Sequence, residues 1–290
     1  MGHEATGVVH SVGTAVTTLK EGDRVAIEPG FPCRRCKTCK DGHYNLCAKM
    51  AFAASPPSSH GALTKYYKIP EDFCYKLPES MGLDEGALVE PLAVAVHIVR
   101  LANVQVGQDV VVFGAGTIGL LCAAVSKAFG AKNITSVDIN DERLHFAKNF
   151  AATGTFRPGA TSSVEENARS IIEQCSLGDG ADVVLEATGA EPCIEMGINV
   201  LRPGGTFVQA GLGKAKIQFP VVMMSEKELT IRGCFRYSSG DYNTTMHLLT
   251  AGKVSVKELI TGIEPFNRAT EAWERTKRGD GIKTLIHGPE

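Results

Sequence analysis

The sequence predicts an α/β protein with two parts: a doubly wound parallel sheet and a smaller β-rich domain. Three observations predict it. From Val110 onward strands and helices alternate, and the strands are near-continuous apolar runs, as in a parallel sheet covered on both faces. Residues 5–30 instead alternate apolar and polar positions with glycine punctuation (GVVHSVGTAV, then GDRVAIEPG), the pattern of short antiparallel strands and turns. The length of 290 residues, with 43% hydrophobic and 21% charged content, allows a large core and about two domains.

Taken in order, the strands of residues 5–30 lead into a cysteine-rich lobe at 30–48, and the Pro56-Pro57 loop follows. LTKYYKI and FCYKLP then continue the β pattern. LDEGALVEPLAVAVHIVRLA has helical periodicity and is predicted as a connecting helix despite Pro91. Next come strand DVVVF, a glycine turn, helix LLCAAVSKAFG, strand NITSVD, helix DERLHFAKNF, strand ADVVLEATG, a helix, and strands GGTFVQAG and ELTIRGCF. Beyond Phe235, two amphipathic helices (NTTMHLLTAG, RATEAWERTKRG) and a closing strand IKTLIHG are assigned back to the first domain. The predicted boundaries are 1–95, 96–235 and 236–290.

Composition narrows the partners. A formal net charge of −2 gives no electrostatic reason to expect nucleic acid or an anionic membrane, so a small molecule is the expected ligand. Nine cysteines, five of them scattered singly through apolar surroundings, do not form a secreted disulfide framework; a reducing, cytoplasmic setting is expected. No secretory leader opens the chain, and the longest uncharged stretch, Val110 to Ser126, is shorter than a membrane span and broken by glycines. Met1-Gly2-His3-Glu4-Ala5-Thr6 formally fits a myristoylation pattern, but a metal-binding reading competes for the same residues.

Cys33, Cys36, Cys39 and Cys47 are spaced C-x2-C-x2-C-x7-C in a proline- and glycine-rich stretch read as a loop. Four thiolates at this spacing close a tetrahedral Zn²⁺ site with no vacant position, which folds a loop rather than performing chemistry. A nucleic-acid-binding zinc ribbon is the rival reading, because Arg34, Arg35, Lys37 and Lys40 interleave with the cysteines; the patch is small and the rest of the chain is not basic.

Gly114-Ala115-Gly116-Thr117-Ile118-Gly119 directly follows an apolar strand and opens a helix, and Asp138 ends the next strand. In that context the glycines form a dinucleotide fingerprint. Gly114 permits the turn, Gly116 lets a pyrophosphate approach the helix terminus, and Gly119 allows helix and strand to pack closely. Asp138 is placed to accept from the adenosine ribose hydroxyls. With Ile139-Asn140-Asp141 offering no basic group to a 2′-phosphate, NAD is expected over NADP.

His3 and Glu4 are adjacent, and neighbours on a regular strand point to opposite faces, so both reach one ion only where the backbone bends, as Gly2 permits. Glu90 is a carboxylate inside the apolar run ALVEPLAVAV. A metal, a bound water or a proton would resolve the cost of burying it.

The segments GHEATG, GDRVAIEPG, the four-cysteine lobe, GALVEPLAVAVH, GAGTIG, EATGAEPCI and GCFRY occur in the order found in the zinc-dependent medium-chain alcohol and polyol dehydrogenases. The chain resembles that family over nearly its whole length, and within it the sorbitol/xylitol dehydrogenase branch. The resemblance implies a GroES-like catalytic domain, a Rossmann domain, and an active site in the cleft between them. It implies catalytic zinc on His3 and Glu4, with Glu90 beside it directly or through water. Arg143 would join Asp138 on the ribose; Ile118, Ala210, Gly211, Leu212, Cys234, Phe235 and Arg236 would line the NAD site. Arg236 and Tyr237 would face the substrate, and Phe52 would form an apolar wall. The implied reaction is oxidation of a polyol's secondary hydroxyl to a ketose, with xylitol foremost and sorbitol or L-arabinitol as alternatives, in a homotetramer. A dinucleotide-binding relative without catalysis is the rival from another class. The family also carries a β-rich segment before its GHE motif, whose cysteine completes the catalytic zinc site. That cysteine has no counterpart here, so an N-terminally incomplete GroES-like domain with little activity is the expectation.

Overall fold

The computed structural model describes residues 1–55 and 59–289, so the expected Pro56-Pro57 loop lies outside the described residues. The chain divides into two compact units, one of residues 1–93 with 236–290 and one of residues 94–235.

In the first unit, β1 (Ala5–Val8) and β2 (Arg24–Ile27) pair antiparallel with Ala5 opposite Ile27. β3 (Gly30–Phe31) leads into the cysteine lobe, which contains one helical turn, α1 (Lys37–Lys40), where an irregular loop was expected. β4 (Ala51–Phe52) returns to pair with β3. β5 (Cys74–Lys76) completes a three-stranded sheet ordered β1-β2-β5. LTKYYKI, expected to be β, forms no strand. Thr64, Lys65, Tyr66 and Lys68 are all exposed, which leaves no buried face to fix a register.

The predicted connecting helix is two helices, α2 (Leu83–Gly86) and α3 (Val89–Ala102). Pro91 is the third residue of α3, where its missing N–H removes no intrahelical bond, so it marks a helix start rather than a break.

The second unit runs through β6 (Asp109–Phe113), α4 (Thr117–Ala128), β7 (Asn133–Val137), α5 (Asp141–Phe150), β8 (Gly154–Phe156), α6 (Val164–Gln174), β9 (Ala181–Glu186), α7 (Glu191–Val200), β10 (Leu201–Gln209), α8 (Val221–Glu226) and β11 (Thr230–Gly233). All six strands are parallel, in the order β11-β10-β9-β6-β7-β8. This is the Rossmann order. Connections leave β6 in one direction along the sheet and β9 in the other, so the crevice outside the carboxyl ends of β6 and β9 is the ligand position of such sheets. Val111, Phe113, Ile171, Val184 and Phe207 form part of the core against one face.

Back in the first unit, α9 (Asp241–Thr250) is followed by β12 (Ile260–Glu264), α10 (Ala269–Arg278) and β13 (Lys283–Ile286), with β12 and β13 parallel. No helix of the described residues is long and apolar enough to cross a membrane.

Candidate active site

The lobe brings its four sulfurs together. Cys36 Sγ lies 3.3 Å from that of Cys39 and 3.8 Å from that of Cys47, and the sulfurs of Cys33 and Cys39 are 4.0 Å apart. Sulfurs bound about 2.3 Å from a tetrahedral zinc stand about 3.8 Å from one another, so the cage fits the ion. Arg34 and Gly42 turn the chain through left-handed conformations (φ 64° and 83°), and the Cys33 N–H donates to Cys47 Sγ at 3.4 Å. The Thr38 hydroxyl, followed by the Cys39 N–H, lowers the Cys36 thiol to about 6, whereas desolvation and then Cys36 push Cys39 up to about 12. Cys36 is thus the sulfur readiest to become a thiolate.

His3, Glu4 and Glu90 form the second cluster, each offering one ligand atom, all within 4.8 Å of one another. The backbone explains the convergence. Gly2 has φ 83° and β1 begins only at Ala5, so His3 and Glu4 precede the regular strand that would have sent them to opposite faces. His3 is exposed as a residue, but its ring stands 5.5 Å from the Phe52 ring. Crowding by protein, then Lys283 and Arg236, lowers its pKa. Glu90, in the first turn of α3, is buried; burial raises its carboxyl to about 8 against the opposing pull of Arg236. Imidazole nitrogen and carboxylate oxygens are a zinc-compatible donor set.

Phe52 and Arg236 border the cluster, with the guanidinium 3.6 Å from the centre of the Phe52 ring. That ring lies over Gly30, where a Cβ would come within 2.6 Å of it, so β3 must carry glycine there. Tyr237, the residue after Arg236, packs among aromatic side chains. It is 2% exposed and edge-on to Tyr242 at 4.9 Å. The aromatic stack continues from Tyr242 to Tyr75.

In the second unit the fingerprint glycines stand between β6 and α4. Gly114 has φ 95°; a Cβ on Gly119 would lie 1.8 Å from Gly114 O, whereas one on Gly116 would meet no atom within 4 Å. Gly116 therefore faces open space at the N-terminus of α4, where a pyrophosphate would fit. Asp138, just past β7, is held by the N–H groups of Ala115 (2.7 Å) and Asn140 (2.9 Å). Arg143 lies in the first turn of α5, Ile118 in that of α4, and Ala210 and Gly211 follow β10, with Leu212 90% exposed. Cys234 and Phe235 follow β11.

Three further carboxylate neighbourhoods went unforeseen. Lys283 on β13 ion-pairs with Glu4 Oε2, and desolvation lowers its ammonium to about 8. Glu28, 1% exposed, accepts from the hydroxyls of Tyr44 and Tyr75. Glu186, 0% exposed at the end of β9, accepts from Thr188 N (2.8 Å), Gly189 N (2.9 Å), Gln209 Nε2 (2.7 Å) and the Thr188 hydroxyl, fastening the turns after β9 and β10. The charge-in-an-apolar-run signal that singled out Glu90 is present in VAIEPG and VVLEATG as well.

A thiolate cage, a histidine–carboxylate cluster and a Rossmann sheet with an open glycine turn are the parts of a zinc-binding dehydrogenase. The chain belongs to that family: the model of the alcohol dehydrogenase GroES-like domain matches residues 1–79 and that of the zinc-binding dehydrogenase residues 117–251. D-xylulose reductase A of Aspergillus oryzae is 59% identical over 288 residues, which are 99% of this chain and 80% of that protein. Among solved structures, 2R,3R-butanediol dehydrogenase of Bacillus subtilis matches with TM-score 0.88 and 30% identity, over 100% of this chain and 80% of its own. L-idonate 5-dehydrogenase of Escherichia coli matches with TM-score 0.88 and 29% identity, over 99% and 81%.

Proposed function

We propose that the protein is a zinc- and NAD-dependent polyol dehydrogenase that oxidises xylitol to D-xylulose. The observation that carries the substrate assignment is the 59% identity to D-xylulose reductase A over 99% of the chain. The reaction class is supported by the His3–Glu4–Glu90 cluster beside Arg236 and Phe52. Xylitol gives up a hydride from the carbinol carbon and its hydroxyl proton to solvent. When bound, zinc supplies Lewis acidity that acidifies the reacting hydroxyl, and NAD supplies the hydride acceptor.

The chain's own residues do the rest. His3 and Glu4 would hold the metal, with Glu90 beside it directly or through water, and Lys283 pairs with Glu4 Oε2. Glu90, protonated at neutral pH when alone, becomes a carboxylate beside a cation. Arg236 reads the neighbouring hydroxyls, and Phe52 supplies its platform and the apolar wall. Asp138 with Arg143 receives the adenosine ribose, and the Gly116 turn receives the pyrophosphate, while Ile118, Ala210, Gly211, Leu212, Cys234 and Phe235 line the remainder of the cofactor site. Cys33, Cys36, Cys39 and Cys47 hold the structural zinc. None of the nine cysteines is joined in a disulfide, which suits a reducing compartment such as the cytoplasm.

Initial rates of NAD reduction with xylitol, sorbitol, L-arabinitol and 2-propanol test the assignment. The highest kcat/KM is expected for xylitol and the lowest for 2-propanol, because a site built to bond hydroxyls rejects substrates lacking them. Preference for another polyol would reassign the substrate, and no NAD reduction with any of them would overturn the reading.

A further inference from the structure

Arg236 is held in a left-handed conformation, φ 58°, which a side chain with a Cβ adopts only when its surroundings impose it. The segment that carries it is anchored two residues later, in part to the cysteine lobe. Ser238 Oγ donates to Gly42 O at 2.8 Å, and Ser239 N–H donates to the same carbonyl at 3.4 Å. From the lobe side, the Tyr44 hydroxyl, which donates to buried Glu28, also stands 3.4 Å from Ser238 O. From the opposite side, Ser238 N–H donates to Asp241 Oδ2 at 2.6 Å, at the start of α9. Gly42 and Tyr44 both lie between Cys39 and Cys47, inside the cage's own loop.

We propose that the cysteine lobe is a positioning element for substrate recognition. Through Gly42 and Tyr44 it clasps Ser238, and so holds Arg236 in the strained conformation that lays its guanidinium on Phe52. The four-sulfur cage is then more than a fold staple, because its loop sets the orientation of the residue that reads the polyol. Ser238 and Tyr44 act through Arg236 and touch no substrate themselves. This rests on the reading of Arg236 as the polyol contact; the clasp itself is independent of it.

Ser238→Ala removes the bond to Gly42 and Tyr44→Phe removes the one from the lobe side. Hydrogen–deuterium exchange reads the clasp directly: amides of residues 236–241 are expected to exchange roughly five- to tenfold faster in either variant, with β6 and β7 unchanged. KM for xylitol should rise by a similar factor, while KM for 2-propanol stays within about twofold. Unchanged exchange at 236–241, or an equal loss on both alcohols, overturns the proposal. Should Ser238→Ala fail to fold, Tyr44→Phe carries the same test from the other partner. If the unsubstituted enzyme does not discriminate polyols from 2-propanol, the functional reading fails, and exchange still decides the clasp.

Discussion

In the proposed reading Arg236 contacts the polyol, and its guanidinium carbon stands 3.6 Å from the centre of the Phe52 ring, which restricts where its donors can point. Arg236→Ala should therefore lose about 1–3 kcal/mol of transition-state stabilisation in kcat/KM for xylitol. Lysine, with neither fork nor planar stacking surface, should not restore it; xylitol kinetics left intact in either variant would remove Arg236 from the substrate site. Glu28 makes a different kind of prediction. Burial first, offset by the Tyr44 and Tyr75 hydroxyls and reinforced by Asp72 and Asp241, raises its carboxyl from 4.5 to about 7. The folded protein therefore keeps this proton between those values while the unfolded chain releases it, so stability falls as pH rises from about 4.5 to 7 and is flat above. The loss is at most about 3 kcal/mol. Glu28→Gln should gain on the unsubstituted protein by up to that amount between pH 4.5 and 8 in urea denaturation. A pH-independent difference between the two proteins would show that Glu28 is not the titrating group.

At the scale of elements, the end of β7 sets cofactor choice. Asp138 is pinned by two backbone N–H groups, and Ile139 next to it is 76% exposed, so the second position accepts a long cation without disturbing the core. Asp138→Ser with Ile139→Arg should shift binding from NAD toward NADP, by removing a carboxylate that repels a 2′-phosphate and adding a partner for it. Comparing the two cofactors on both proteins by nicotinamide fluorescence tests this, and equal affinity of the unsubstituted protein for NAD and NADP would contradict the role given to Asp138. The same strand shows what was legible. Asp138, the glycine turn and the four cysteines were found because each motif is local and its geometry follows from spacing. Helix α6 was missed although Ser163 and Glu166 form a capping box that announces its start. β12 and the short pairs β3–β4 and β8 were missed because two to five residues carry too little periodicity. Lys283 could not be inferred, since its partner Glu4 is 279 residues away, nor could the Ser238 clasp across 196 residues. The stacking of Tyr242 and Tyr75 beside Tyr237 is equally illegible, because it joins distant segments of the chain.

At the scale of the molecule, one chain leaves the first unit within α3 at Ala93, builds the sheet of residues 94–235, and returns at Arg236. Each unit carries its own ligand chemistry: thiolate and histidine–carboxylate clusters in one, the dinucleotide turn in the other. Ligand binding stabilises only the state that binds, by about 2.7 kcal/mol at a hundredfold excess over Kd, so the two ligands should protect different parts of the chain. With saturating NAD, exchange should slow around Gly114–Gly119 and at the ends of β6 and β7. A strong chelator should instead speed exchange at residues 33–47, because cysteines gathered to within 3.3–4.0 Å lose the charge that holds them as thiolates. Chelation should also reach residues 236–241, through Gly42 and Ser238, while β6 and β7 keep their protection. A chelator that loosened the Rossmann sheet and spared the lobe would show that metal is not held by Cys33, Cys36, Cys39 and Cys47.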